Sequence, residues 1–233
     1  MREAVMSRGL FVAGTPEAEC ARPLKVNAKP PTGWNPQDFA REQIRGLVRQ
    51  VFLSGEQAVR QVVFSPMEPE TDVMNLCWRV GESLALETKQ SVVVVGDDPQ
   101  ALHDAERTEV PRQAPADTTL PDATRVAGNL WLLPSSASNG STDTHASLHL
   151  YLGAVRSCFD YSIVVGPPAG EATATTAMAQ LADGIVLILS AQRTRRITAR
   201  KLKEKLEQAQ ARLLGIVLSD RAFPIPARIY RRL

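Results

Sequence analysis

The stretch CFDYSIVVGPP (158–168), followed closely by LADGIVLILS (181–190), decides the fold. Tyr161–Val165 and Ile185–Leu189 are short and almost wholly apolar, without the alternation of a strand that faces water on one side. Such runs read as strands buried on both faces. Between them GPPAG turns the chain, and Thr173–Leu181 has helical spacing. Downstream, Thr194–Leu213 predicts a helix and Leu214–Leu218 a strand.

Upstream the pattern repeats. Asn35 can cap a helix, Pro36 fits its first turn, and Asp38 suits the positive end of its dipole. Phe39, Ile44, Leu47, Val48 and Val51 carry the apolar stripe to about Phe52. RQVVFS (60–65) is a strand, and a turn, PMEPETD, leads to a helix from Val73 to about Glu87 with Thr71 or Asp72 as its cap. Ser91–Val95 is a strand closed by Gly-Asp-Asp-Pro. A short helix is predicted over 99–107, a loop with three prolines over 108–126, a strand over 129–133, a polar loop after it, and a helix over 145–158.

Strands that alternate with helices in this way call for an α/β fold: three layers, with a mostly parallel sheet covered by helices on both faces. Residues 1–34, rich in Ala, Pro and Gly, read as an N-terminal arm or linker, and residues 35–233 as one domain.

The 233 residues carry a formal net charge of +2, too small to argue for nucleic acid or a membrane surface as a partner. Cys20, Cys77 and Cys158 are widely spaced and form no metal-ligand or disulfide pattern. No run of about 18 apolar residues is present, and the first residues lack the apolar core of a signal peptide, so the expectation is a cytoplasmic protein with no membrane-spanning segment.

In an open parallel sheet, ligands bind at the carboxyl ends of the strands. After RQVVFS a phosphate loop would need glycines, a lysine and a Ser/Thr. The residues present are Pro66, Met67, Glu68, Pro69, Glu70, Thr71, Asp72, Val73 and Met74. Two prolines remove N–H donors. Three acids bring negative charge to the place of a triphosphate, where like charges 4 Å apart repel by about 4 kcal/mol at an effective dielectric near 20. The acids are read chiefly as capping and dipole-matching groups for the next helix, with a divalent-metal site as the alternative. Asp97 and Asp98 are read as turn residues before magnesium ligands. The strand Tyr161–Val165 ends without a carboxylate. His145 and His149, one helical turn apart, lack a third metal ligand nearby in sequence. No catalytic residue set and no metal site are expected.

The order of these pieces resembles the cytoplasmic domain of bacterial tyrosine kinases that serve capsule and exopolysaccharide export, deviant-Walker P-loop ATPases akin to MinD and ParA. The resemblance runs from about Asp38 to Leu233. It is carried by EQIRGLVRQVF, RQVVFSPMEP, GNLWLLPSS, CFDYSIVVGPP and the stretch from LADGIVLIL to LLGIVLS. It places the family's Walker A over Glu70, Thr71, Asp72, Val73, Met74 and Asn75. The second aspartate motif falls over Gly96, Asp97 and Asp98, and the Walker B aspartate on Val165. Three nucleotide elements are thus degenerate, and the family's tyrosine-rich tail is reduced to Tyr230.

What the resemblance implies is a non-catalytic pseudo-kinase adaptor of an exopolysaccharide system, with no cofactor. Its partners would be a membrane-anchored chain-length regulator, an active kinase relative or copies of itself, and it could lie at the inner membrane through a partner. The alternative is an active ATPase or autokinase that uses ATP and magnesium at an unconventional site, with Asp97, Asp98 and a lysine from elsewhere. The family's ExxRxxR subunit-interface helix maps onto Glu42, Arg45 and Arg49, with the last arginine displaced by one position. These residues read equally as a solvated face. The basic run from Arg193 to Lys205 reads as an exposed helix laced by Arg200–Glu204 and Lys203–Glu207, with an anionic membrane face or an acidic partner as the alternative.

Overall fold

A computed structural model describes residues 9–13, 36–55, 58–97, 123–135, 145–169 and 172–221. Eight strands form one sheet in the order β1-β8-β7-β2-β6-β3-β5-β4. The strands are β1 (Gly9–Ala13), β2 (Gln61–Pro66), β3 (Val92–Val95), β4 (Thr124–Ala127), β5 (Leu130–Leu133), β6 (Tyr161–Val165), β7 (Gly184–Ser190) and β8 (Leu213–Arg221). The six inner strands run parallel, and β1 and β4 close the two edges antiparallel.

The helices are α1 (Pro36–Val48), α2 (Val73–Thr88), α3 (His145–Cys158), α4 (Ala172–Leu181) and α5 (Arg196–Gln208). The strands are apolar at successive positions because each face has its own core. Val62, Phe64, Ile163, Val186 and Ile188 pack with α1 and α2. Val63, Val164, Ile185, Leu187 and Leu189 pack with α3, α4 and α5. The period of two along a strand sends neighbours to opposite layers. Three layers with a mostly parallel sheet are therefore present, as predicted.

Four expectations are revised. Gly9–Ala13, inside the expected arm, adds an edge strand beside β8. Thr124–Val126, expected as loop, lies in β4, paired with β5. The helix expected over Thr194–Leu213 ends at Gln208, and Gln210 takes a positive φ of 56° before β8 begins at Leu213. The apolar stripe of α1 does reach Phe52, but Arg49–Leu53 is a π-helical turn that buries Val51 and Phe52. Phe52 meets Tyr161 edge-on at 5.9 Å. The helix predicted over 99–107 and most of the polar loop after β5 lie outside the described residues.

Candidate functional site

The carboxyl ends of β2, β3, β6 and β7 bring together most of the residues singled out in the sequence. Asp72 caps α2, its carboxylate accepting from the Asn75 N–H at 3.1 Å. Val73 is buried, and Thr71 and Met74 are half-buried. Met74, Gly96 and Val165, one from each of the three stretches singled out by the resemblance, converge. A Cβ added at Gly96 would lie 2.9 Å from Val165 Cγ2 and 3.0 Å from Met74 Sδ. A valine and a methionine are thus packed against bare backbone at Gly96. At the next strand end, a Cβ at Gly166 would come within 2.8 Å of Val63 Cγ1.

The turn from Pro66 to Asp72 is closed by its own bonds. The Met67 N–H donates to the Ile188 carbonyl at 2.8 Å, Thr71 to Glu68 at 3.2 Å, and Val73 to Thr71 at 2.9 Å. Pro66 and Pro69 have no N–H to offer. Asp72 is a cap as expected, but Glu68 and Glu70 are not. Both reach across to the β7–α5 turn. The Thr194 hydroxyl donates to Glu68 Oε1 at 2.6 Å while accepting from the Ser190 N–H at 3.0 Å. Arg193 forms an ion pair with Glu70. A hydroxyl and a guanidinium offer charge-assisted partners that a helix dipole one turn away cannot match. Two staples thus tie the turns together. Glu68 Oε2 and the Ser190 hydroxyl are left buried without a hydrogen-bond partner.

As a cradle for a triphosphate and its magnesium, these residues fit poorly. The turn's N–H groups named above are committed to protein acceptors. Its acidic side chains bring negative charge, and β6 ends on Val165 without a carboxylate. Asp97 is engaged too, accepting from the Ser135 N–H at 3.0 Å and hydroxyl at 2.8 Å and so joining the ends of β3 and β5. Asp98 lies outside the described residues, as do Asn35 and Tyr230. His149 is exposed, and among the described residues no group of three His, Cys, Asp or Glu is placed to hold a metal.

Two further side chains near these ends, Cys77 and Tyr151, are buried. Desolvation, with the charge of Asp72, pushes the Cys77 thiol far above the usual range. Tyr151 donates to the Pro134 carbonyl at 2.9 Å. Burial, with the charge of Asp97, likewise raises its phenol.

Glu42, Arg45 and Arg49 lie apart from this edge, exposed on α1 and the π turn. Arg45 reaches Glu42 at 3.8 Å, and Arg49 reaches Glu87 of α2 at 3.5 Å. Beside them a cleft of about 790 Å³ between α1, α2 and the β4–β5 turn is lined by Arg41, Ile44, Arg45, Arg79, Glu82 and Leu86 among others. The sequence reading missed this cleft, because its lining comes from three separate elements. It also missed Arg193 and Thr194 as partners of the acidic turn. The available signal was the order of elements, which sets β7 beside β2.

A three-layer α/β scaffold whose carboxyl-edge turns are stapled to one another is the class that fold and site define. Comparison with known proteins agrees with the scaffold. A stretch of 75 residues is 35% identical to the tyrosine-protein kinase CpsD of Streptococcus agalactiae, spanning 32% of this chain and 33% of that kinase. The matched stretch is thus about a third of the relative's length. Among solved structures, the chimerical protein CapA2B2 superposes with a TM-score of 0.60 at 17% identity, covering 79% of this chain and 86% of that one. The kinase domain of Escherichia coli tyrosine kinase ETK gives 0.60 at 14% identity, covering 81% and 79%. The MinD cell division protein of Aquifex aeolicus gives 0.50 at 14%, covering 66% of each chain. No protein-family model matches the chain. About a third of the chain is thus similar in sequence to a bacterial tyrosine kinase, and its fold is that of solved tyrosine kinase domains and of MinD.

Proposed function

We propose that this protein is a non-catalytic relative of the bacterial tyrosine kinases, acting as an adaptor in exopolysaccharide synthesis and export. The observation that carries the reading is the stapled turn: Glu68 and Glu70 bonded to Thr194 and Arg193 where a phosphate loop would lie. An ATPase of this scaffold needs that turn open, electropositive and rich in free N–H groups. This one offers acids, prolines and committed donors, so neither ATP nor magnesium is assigned to it.

A scaffold that no longer turns over can still present surfaces. The exposed Glu42, Arg45 and Arg49, next to the α1–α2 cleft, are the surface assigned to partners: a membrane-anchored chain-length regulator, an active kinase relative or a second copy. No helix among the described residues is long and apolar enough to cross a membrane. The test is incubation of the full chain with radiolabelled ATP and magnesium, read for phosphotyrosine and released phosphate. The expected result is neither. Turnover that is lost in Asp97→Asn or Asp98→Asn would overturn the reading in favour of an unconventional active site.

A further inference from the structure

The first two turns of α5 gather cations without acids. Arg195, Arg196, Arg200 and Lys201 are all exposed, and none forms an ion pair among the described residues. Of the two pairs expected to lace this helix, Lys203–Glu207 forms at 3.3 Å, whereas Arg200 and Glu204 make no bridge. Over Arg193–Gln208, seven cations face two carboxylates, a net of +5 in a chain whose formal total is +2. The excess sits at the helix's first half, where the first turn contains no acid and Arg195, at the cap, makes no side-chain bond. Cations at that end oppose the helix dipole, so the arrangement does not serve the stability of α5.

An apolar group stands among these charges. Ile197 is 71% exposed, on the side of the helix opposite the buried Leu202 and Leu206. Ile197 and Lys201 form one i, i+4 ridge, and Arg196 and Arg200 the ridge beside it. The face is convex, with long basic side chains around a protruding isoleucine. It has no aromatic residue on which a base could stack.

We infer that this face of α5 docks on an anionic lipid bilayer. Its cations would meet the headgroup phosphates, their aliphatic stems and Ile197 lying against the acyl boundary. The inference does not depend on the adaptor reading, since an active enzyme could use the same face.

The experiment is co-sedimentation of the full chain with phosphatidylcholine vesicles, with and without phosphatidylglycerol. Binding is expected only with the anionic lipid and is expected to fade as salt is raised. Each cation near such a surface contributes about fivefold in affinity, so Arg200→Glu with Lys201→Glu should weaken binding at least about twenty-five-fold. Ile197→Ser should weaken it severalfold. Arg196→Glu should also weaken binding while keeping or raising Tm, because an acid there agrees with the dipole, which separates loss of docking from loss of folding. Absence of binding to anionic vesicles, or equal binding by the Arg200/Lys201 variant, would overturn the inference. So would tight binding of duplex DNA without vesicle binding, which would mark the face as a nucleic-acid surface.

Discussion

The two edges of the sheet use their carboxylates in opposite ways. At the amino edge, Asp183 accepts from the N–H groups of Arg60 at 2.7 Å and Gln61 at 2.9 Å, and from the Arg156 guanidinium at 2.8 Å. Asp160 accepts from the Ser91 N–H at 3.0 Å and hydroxyl at 2.7 Å, while Arg60 donates to the Asp160 carbonyl at 2.9 Å. Four strand starts, those of β7, β2, β6 and β3, are sewn into one network. At the carboxyl edge, Glu68, Glu70 and Asp97 tie turns to turns, and Val165 and Gly96 are apolar packing. At the amino edge the acids join strand start to strand start, with Arg156 of α3 as a further partner of Asp183. At the carboxyl edge, where open parallel sheets bind ligands, Glu68, Glu70 and Asp97 are bonded to other turns of the protein.

Variants that break the comparison should rank accordingly. Asp183→Ala removes an acceptor from two backbone N–H groups and from a guanidinium, and should cost about 3 kcal/mol, a fall in Tm of roughly 6–12 °C for a domain of this size. Burial works to raise the Asp183 carboxyl, but the bonds from Arg60, Gln61 and Arg156 outweigh it and leave it below the ordinary range. Its contribution is therefore complete at neutral pH and is lost as pH falls through that lowered value. Asp183→Asn should flatten the acid limb of a Tm-against-pH curve. Next, Ser91→Ala deletes a hydroxyl that both donates to and accepts from Asp160, and should cost about 1–2 kcal/mol in denaturant unfolding.

The carboxyl edge should respond less. Thr194→Ala loses the bond to Glu68 and should cost about 1 kcal/mol. Glu70→Ala breaks a pair exposed on both sides, 62% at Arg193 and 71% at Glu70, and should change stability by no more than about 0.5 kcal/mol. A larger loss at Glu70 than at Asp183 would reverse the comparison. Arg45→Glu with Arg49→Glu should be smaller still in stability, and should show itself as loss of self-association or partner retention on a sizing column.

How far the sequence carried this picture depends on whether the signal was local. The inner strands were legible because burial on both faces leaves no polar position in runs such as VVVV and IVLIL. The cap at Asp72 was legible because its bond spans three residues. The edge strands β1 and β4 were not, since GLFVA sits in Pro- and Gly-rich surroundings and TRVA is four residues of mixed character. The end of α5 was hidden because Gln210, not glycine, takes the left-handed conformation. The acidic, proline-bearing make-up of the turn after β2 was readable directly. Its closure was not, because Glu68 and Thr194 lie 126 positions apart, and only the strand order brings them together.

Titration of the full chain with ATP in the presence of magnesium tests the central claim most directly. A carboxyl edge closed by Glu68–Thr194 and Glu70–Arg193 should give no saturable heat at nucleotide concentrations up to about the millimolar range. Saturable binding at micromolar concentration would contradict it.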